Sequence, residues 1–154
     1  MSANALSTRL WRERELLDLL QFKLEEQQLL LLSGKSQWID HATREIESVV
    51  DKLQGASLSR AVESAHLASS LGLAGDVTLT QLAAAVEDPA WREVLEQHLR
   101  ALRDSASTIT ALRDTNSSYL RAAQRAAQES LAALDPAGSA SSTDTGPRLI
   151  DTDL

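Results

Sequence analysis

Leu10, Leu17, Leu24 and Leu31 recur at intervals of seven residues. No other feature of the chain constrains its fold so tightly. A strand buries alternate residues, whereas a seven-residue apolar repeat lines one edge of a helix and winds it against a partner. Leu20 stands at the companion position of the repeat, and Leu16 and Leu30 widen the stripe. The spacing predicts a helix over about residues 6–33, with Ser7 or Thr8 as its cap. Gly34 suits the position just past the end, where the backbone turns left-handed. One such edge cannot be buried alone, so further helices must follow.

After Ser36, a candidate cap, Ile39, Ala42, Ile46, Val49 and Leu53 repeat the 3-4 spacing. The pattern loosens around Gly55, Ser57 and Ser59, then resumes with Val62, Ala65, Leu67 and Leu71. No proline interrupts it, so one helix over about 37–71 is expected, weakened at Gly55 by about 1 kcal/mol against Ala. Thr78 and Gln81 match a capping box that opens a short helix over 79–87. Asp88-Pro89 is a second start signal, an acidic cap followed by proline in the first turn. From Trp91 through Leu95, His98, Leu102, Ser105, Ile109, Leu112, Asn116 and Tyr119 to Ala123 and Ala126 the 4-3 spacing persists. It predicts a helix over 89–134 that Asp135-Pro136 stops.

The fold class is therefore all-α: long antiparallel helices in a coiled-coil-like bundle over residues 1–134. Gly34 to Ser36 is too short for a parallel return between the first two helices. Residues 135–154 carry Pro136, Gly138, Gly146 and Pro147, with four acids against one Arg. They read as a disordered acidic tail.

Composition narrows the function. Aromatic residues are only 3% of the chain, which favours narrow helical seams over a thick core. The net charge of −7 and the interleaving of Arg with acids argue against nucleic acid as a partner. The chain has no cysteine, hence no disulfide and no thiolate chemistry. No apolar run approaches a membrane span, and Met1 to Arg14 has no signal-peptide core. A cytoplasmic protein without stable membrane insertion is expected.

Catalytic and cofactor motifs are wanting. Leu32-Ser-Gly-Lys-Ser36 ends like a phosphate-binding loop, but the motif needs Gly where Leu29 stands, and a preceding strand. His41, His66 and His98 are scattered over different helices, and His98 falls on a seam. No serine lies on a nucleophile elbow. The expectation is no enzyme, no catalytic residue, no metal and no cofactor.

Asn116 is the most informative polar residue. On a seam it either fixes register or marks a wet bundle end. Beyond it the seam thins to Ala123 and Ala126. Weak self-packing there makes Leu112, Asn116, Tyr119, Leu120, Ala123, Ala126, Leu131 and Leu134 the candidate partner-binding residues. Leu149 and Ile150, an apolar pair among tail charges, are either a docking motif or two isolated hydrophobes.

Several segments carry a family resemblance. They are Trp11-Arg-Glu-Arg-Glu-Leu-Leu17, Leu24-Glu-Glu-Gln-Gln-Leu-Leu-Leu-Leu-Ser-Gly34, Trp38, Ala42-Thr-Arg-Glu-Ile-Glu47, Leu71-Gly72 and Asn116-Ser-Ser-Tyr-Leu120. This layout resembles the FlgN-type flagellar export chaperones over most of residues 6–134. The resemblance implies a cytoplasmic chaperone of the flagellar hook-associated proteins at the hook–filament junction. It would bind their amphipathic terminal segments, prevent premature polymerisation and deliver them to the flagellar export apparatus. It also points to the C-terminal region for client capture. A homodimer is compatible with such a bundle. The alternative is a structural or scaffold coiled coil, or a regulatory helical bundle, without an export client.

Overall fold

A computed structural model describes the backbone of residues 2–141 and the side chains of residues 3–135. Four helices carry it: α1 (Ser2–Leu32), α2 (Ile39–Ser70), α3 (Leu79–Ala85) and α4 (Pro89–Ser141). No strand occurs among the described residues. The fold is an all-α bundle, as the apolar periodicity requires.

Two glycines reverse the chain. Gly34 sits at φ +71°. The Lys35 amide returns to the Leu30 carbonyl (3.2 Å) and the Gly34 amide to Leu31 (3.4 Å), which satisfies two of the last carbonyls of α1. Gly72, at φ +72°, repeats the arrangement at the end of α2, with Leu73 bonded to Ala68 (2.9 Å) and Gly72 to Ser69 (3.1 Å). Between α1 and α2 the chain forms a 3-10 turn at Ser36–Trp38. Ser36 is thus not the cap of α2. Trp38 holds that position without a side-chain bond.

α1 and α2 are antiparallel: Lys23 pairs with Glu45, Gln27 with Thr43, and Glu13 with Arg60. α4 then runs parallel to α1, since Ser7 meets His98 and Gln27 meets Asn116. α1 is the central helix, packed on α2 along one side and on α4 along another. α3 closes the end where α2 stops and α4 begins. There Leu6, Leu10, Leu67, Leu82, Val86 and Leu95 form the larger apolar cluster. A smaller one, Leu20, Leu24 and Val49 with Ile109 and Leu112, lies toward the other end.

The caps of α3 and α4 match their sequence signals. Thr78 Oγ1 accepts from the Gln81 amide (3.2 Å), and Gln81 Oε1 accepts from the Thr78 amide (2.9 Å). Asp88 Oδ1 accepts from the Ala90 amide (2.9 Å), one residue past Pro89. The expected cap of α1 fails. The helix begins at Ser2; Ser7 is buried inside it, and Thr8 Oγ1 donates to the Asn4 carbonyl (3.0 Å).

Two seams differ from expectation. On α1 the buried line runs Leu6, Leu10, Glu13, Leu16, Leu20, Leu24, Gln27, while Leu17 and Leu31 are only half-buried. The companion row Leu6, Glu13, Leu20 and Gln27 keeps the seven-residue spacing, whereas on the Leu10 row Leu16 is buried in place of Leu17 and burial stops before Leu31. On α2, Val62 and Ala65 are exposed. The spacing of Ala42, Ile46, Val49 and Leu53 instead continues through Ala56, Arg60, Glu63 and Leu67 without a break at Gly55. The apolar signal fades there because the seam carries charge: Arg60 Nε lies 2.5 Å from the buried Glu13 carboxylate of α1.

α4 does not end at Leu134. It continues through Asp135 and Pro136 to Ser141. Proline removes one amide and leaves the Ala132 carbonyl without its helical partner. Ala132 is exposed, so water can meet that carbonyl and the helix tolerates the loss. The rest of the expected tail, with Leu149 and Ile150, lies outside the described residues.

Candidate partner-binding surface

Two polar joints fix α4 to α1. At the first, the buried His98 ring meets Ser7 Oγ at Nε2 (3.0 Å) and Arg14 Nη1 at Nδ1 (3.3 Å), with the Trp11 ring edge-on at 5.0 Å. Arg14 can only donate, so Nδ1 must accept, and Nε2–H then donates to Ser7. Both nitrogens are satisfied only in the neutral ring. Burial lowers the His98 pKa below its usual value, and the Arg14 charge lowers it further.

The second joint is Asn116, five turns on. Its Nδ2 donates to the Leu24 carbonyl (2.8 Å) and to Gln27 Oε1 (3.1 Å). Gln27 Nε2 donates onward to Thr43 Oγ1 (3.1 Å), which donates to the Ile39 carbonyl (2.9 Å). One chain of hydrogen bonds thus ties α4, α1 and α2. Asn116 Oδ1 is buried without a partner, a loss of about 1–3 kcal/mol that the rest of the network must offset. Nearby, Lys23 Nζ lies 2.7 Å from Glu45 Oε2. That hydrogen bond holds Lys23 above its ordinary pKa and Glu45 below.

Past Asn116 the partners run out. α1 ends at Leu32, five residues beyond Gln27, so α4 clears the bundle near Arg121. Every residue from Arg121 to Asp135 is exposed. The helix projects about 30 Å beyond that point, from 21 residues at 1.5 Å each. Leu120, Ala123, Ala127, Leu131 and Leu134, spaced 3-4-4-3, form one apolar stripe along it. Arg121, Arg125, Glu129 and Asp135 supply the charge of this stretch.

The sequence-derived residues fall into three groups. Leu112 packs against the smaller cluster and Asn116 is buried, so both serve the bundle's own interior. Tyr119 and Leu120 stand at the rim, the first exposed and the second half-buried. Ala123, Ala126, Leu131 and Leu134 lie together on the projecting helix. Leu149 and Ile150 fall outside the described residues. Sequence reasoning missed Gln27, although its position three residues after Leu24 continues the α1 seam. It also missed Leu29, Leu32 and Trp38, exposed near the end of the bundle that α4 leaves.

The arrangement offers surface, with little for chemistry. Among the described residues no group of His, Cys, Asp or Glu could hold a metal, and no helix is long and apolar enough to cross a membrane. A cavity of about 270 Å³ lies between α2 and the loop at 75–79. Its charged lining groups are Asp76 and Arg60, and Arg60 is already engaged by Glu13.

A family model described as FlgN protein matches residues 1–144. No curated protein and no solved structure gave a significant match.

Proposed function

The chain belongs to the FlgN family of flagellar export chaperones, and from that premise we propose that the projecting half of α4 is where it holds its client. The clients in this reading are the hook–filament junction proteins, captured in the cytoplasm by their amphipathic terminal segments. Covering those segments prevents premature polymerisation. Release at the flagellar export apparatus completes the cycle. The chaperone performs no covalent chemistry.

One observation carries the reading. From Arg121 to Asp135 α4 is exposed on every side, yet it keeps an apolar stripe at helical spacing. An amphipathic client helix laid along Leu120, Ala123, Ala127, Leu131 and Leu134 would bury that stripe together with its own. Small Ala side chains let the two backbones approach closely.

Calorimetry with a terminal segment of a junction protein tests it. Deletion of residues 121–154 is expected to abolish binding and leave the bundle folded, since every described contact of the clusters lies earlier. Leu131→Asp should weaken binding strongly by placing charge on a surface that must be desolvated. Undiminished affinity in the deletion variant would refute the assignment.

A further inference from the structure

The apolar stripe of the arm is the bundle seam prolonged. At about 100° per residue, Leu120, Ala123, Ala127, Leu131 and Leu134 fall within about 60° of the line through His98, Ile109 and Asn116. On that line His98 and Asn116 bond to α1, and Ile109 packs on the cluster around Leu20 and Leu24. The α1-facing side of α4 therefore runs on past the point where Gly34, at φ +71°, turns the chain away. Beyond Leu32 the stripe has the phase to receive a helix in line with α1.

The end of the bundle supplies a floor for such a helix. Trp38 stands four residues before the buried Ala42 and extends the row Ala42, Ile46 and Val49 by which α2 packs on α1. The bond between Gln27 and Thr43 on antiparallel helices sets Trp38 level with Leu32, where α1 ends, and Trp38 is 52% exposed. On α1, Leu31 lies four residues past the buried Gln27 and is only half-buried. On α4, Leu120 lies four residues past the buried Asn116 and is half-buried too. Each of the three long helices thus carries one incompletely covered apolar side chain at this level of its seam. Three such side chains at the foot of an apolar stripe mark an interaction surface. Lys35 and Asp40, which flank Trp38 in sequence, are exposed and of opposite sign, so the fit is one of shape and apolarity.

We propose that the client is held as a helix in line with α1, with one end seated on Leu31, Trp38 and Leu120. About twenty residues of helix match the roughly 30 Å of arm that projects beyond this level. So placed, the client buries stripe and floor together, as an amphipathic helix does in a groove. The floor also fixes its register, which a bare stripe of Ala and Leu would leave free to slide. The stripe continues a seam whose partner inside the chain is a single helix, and the family's work is to hold a segment of another protein, so the occupant is the client. The seat presupposes that the projecting half of α4 is where the client binds.

Calorimetry on the full chain uses a synthetic peptide of the terminal segment of a hook–filament junction protein. Trp38→Ala is expected to weaken its binding at least about tenfold, with helicity and melting unchanged. Leu29→Asp, two residues from Leu31 and on the opposite side of α1, should leave binding as it was. A Trp38→Ala variant that binds as the parent does, or no worse than Leu29→Asp, overturns the seat. If deletion of residues 121–154 still abolishes binding in that case, the client reading stands without the seat; if the deletion changes nothing, the client reading itself falls. The chain has no cysteine, so introduced cysteines report the register directly. On mild oxidation a cysteine at one end of the peptide should cross-link to Trp38→Cys, and a cysteine at the other end to Leu134→Cys. Linkage of both variants to the same end overturns the proposal. So does linkage of Trp38→Cys, without peptide, to Leu134→Cys of a second copy or to Leu149→Cys of the chain's own tail.

Discussion

The side-chain amide of Asn116 donates to Gln27 Oε1 at 3.1 Å, across the interface where α4 leaves the body of the bundle. The same Gln27 donates to Thr43 on α2. Asn116→Ala is expected to destabilise the chain by about 1–3 kcal/mol, because the Leu24 carbonyl and Gln27 Oε1 lose a donor in a dry place. Replacing both partners by Leu should recover most of the loss. Urea unfolding followed by circular dichroism measures it. A loss under about 0.5 kcal/mol would mean that water substitutes freely and the site is wet.

Leu17 and Leu24 stand seven residues apart but differ in burial. Leu24 belongs to the smaller cluster, while Leu17 keeps part of its surface in solvent. Leu24→Ala should cost about 2–5 kcal/mol and Leu17→Ala clearly less. Equal losses in thermal or urea melts would restore the straight seven-residue seam.

His98 makes stability depend on pH. Its folded pKa is lowered by burial and by Arg14, so the unfolded chain takes up the proton first on acidification. Its contribution to stability is complete above the unfolded value of about 6.5 and is lost as pH falls through the window below it. His98→Gln should remove that part of the slope between neutral pH and the folded pKa. A variant whose stability falls with acid as steeply as the parent's would assign the dependence elsewhere.

Two glycines should respond with opposite signs. Gly34 needs its φ of +71°, and an added Cβ would meet nothing within 4 Å. Gly34→Ala therefore costs only the left-handed conformation, about 1 kcal/mol. Gly55 is helical and equally open, so Gly55→Ala should stabilise by about 0.5–1 kcal/mol. Loss of stability at Gly55 would reveal a contact or a required bend there.

The helices were legible because their signals are local. Gly34 ends α1, Thr78 and Gln81 open α3, and Asp88-Pro89 opens α4, each through bonds to residues no more than five positions away. Seams were less legible where partners decide them. Glu13 and Arg60 occupy core positions that hydrophobicity cannot reveal, because each is tolerable only opposite the other. Ser7 looked like a cap for the same reason: only the distant His98 explains its burial. At the candidate surface, the thinning after Asn116 was visible in the composition. That α4 outruns α1 was not, since it follows from a register set between residues 89 positions apart.

α4 is one continuous helix from the bundle to the tip of the arm, with no loop between them. Rotation at the base is therefore geared up along its length. A tilt of about 10° about Asn116 would carry Ser141, some 37 Å away, through roughly 6–7 Å. A tilt of that size at the Asn116 joint would be read at Ser141 as a displacement as large as a side chain. The bundle thus acts as a fulcrum, and the reach of the arm makes small adjustments inside it mechanically visible outside.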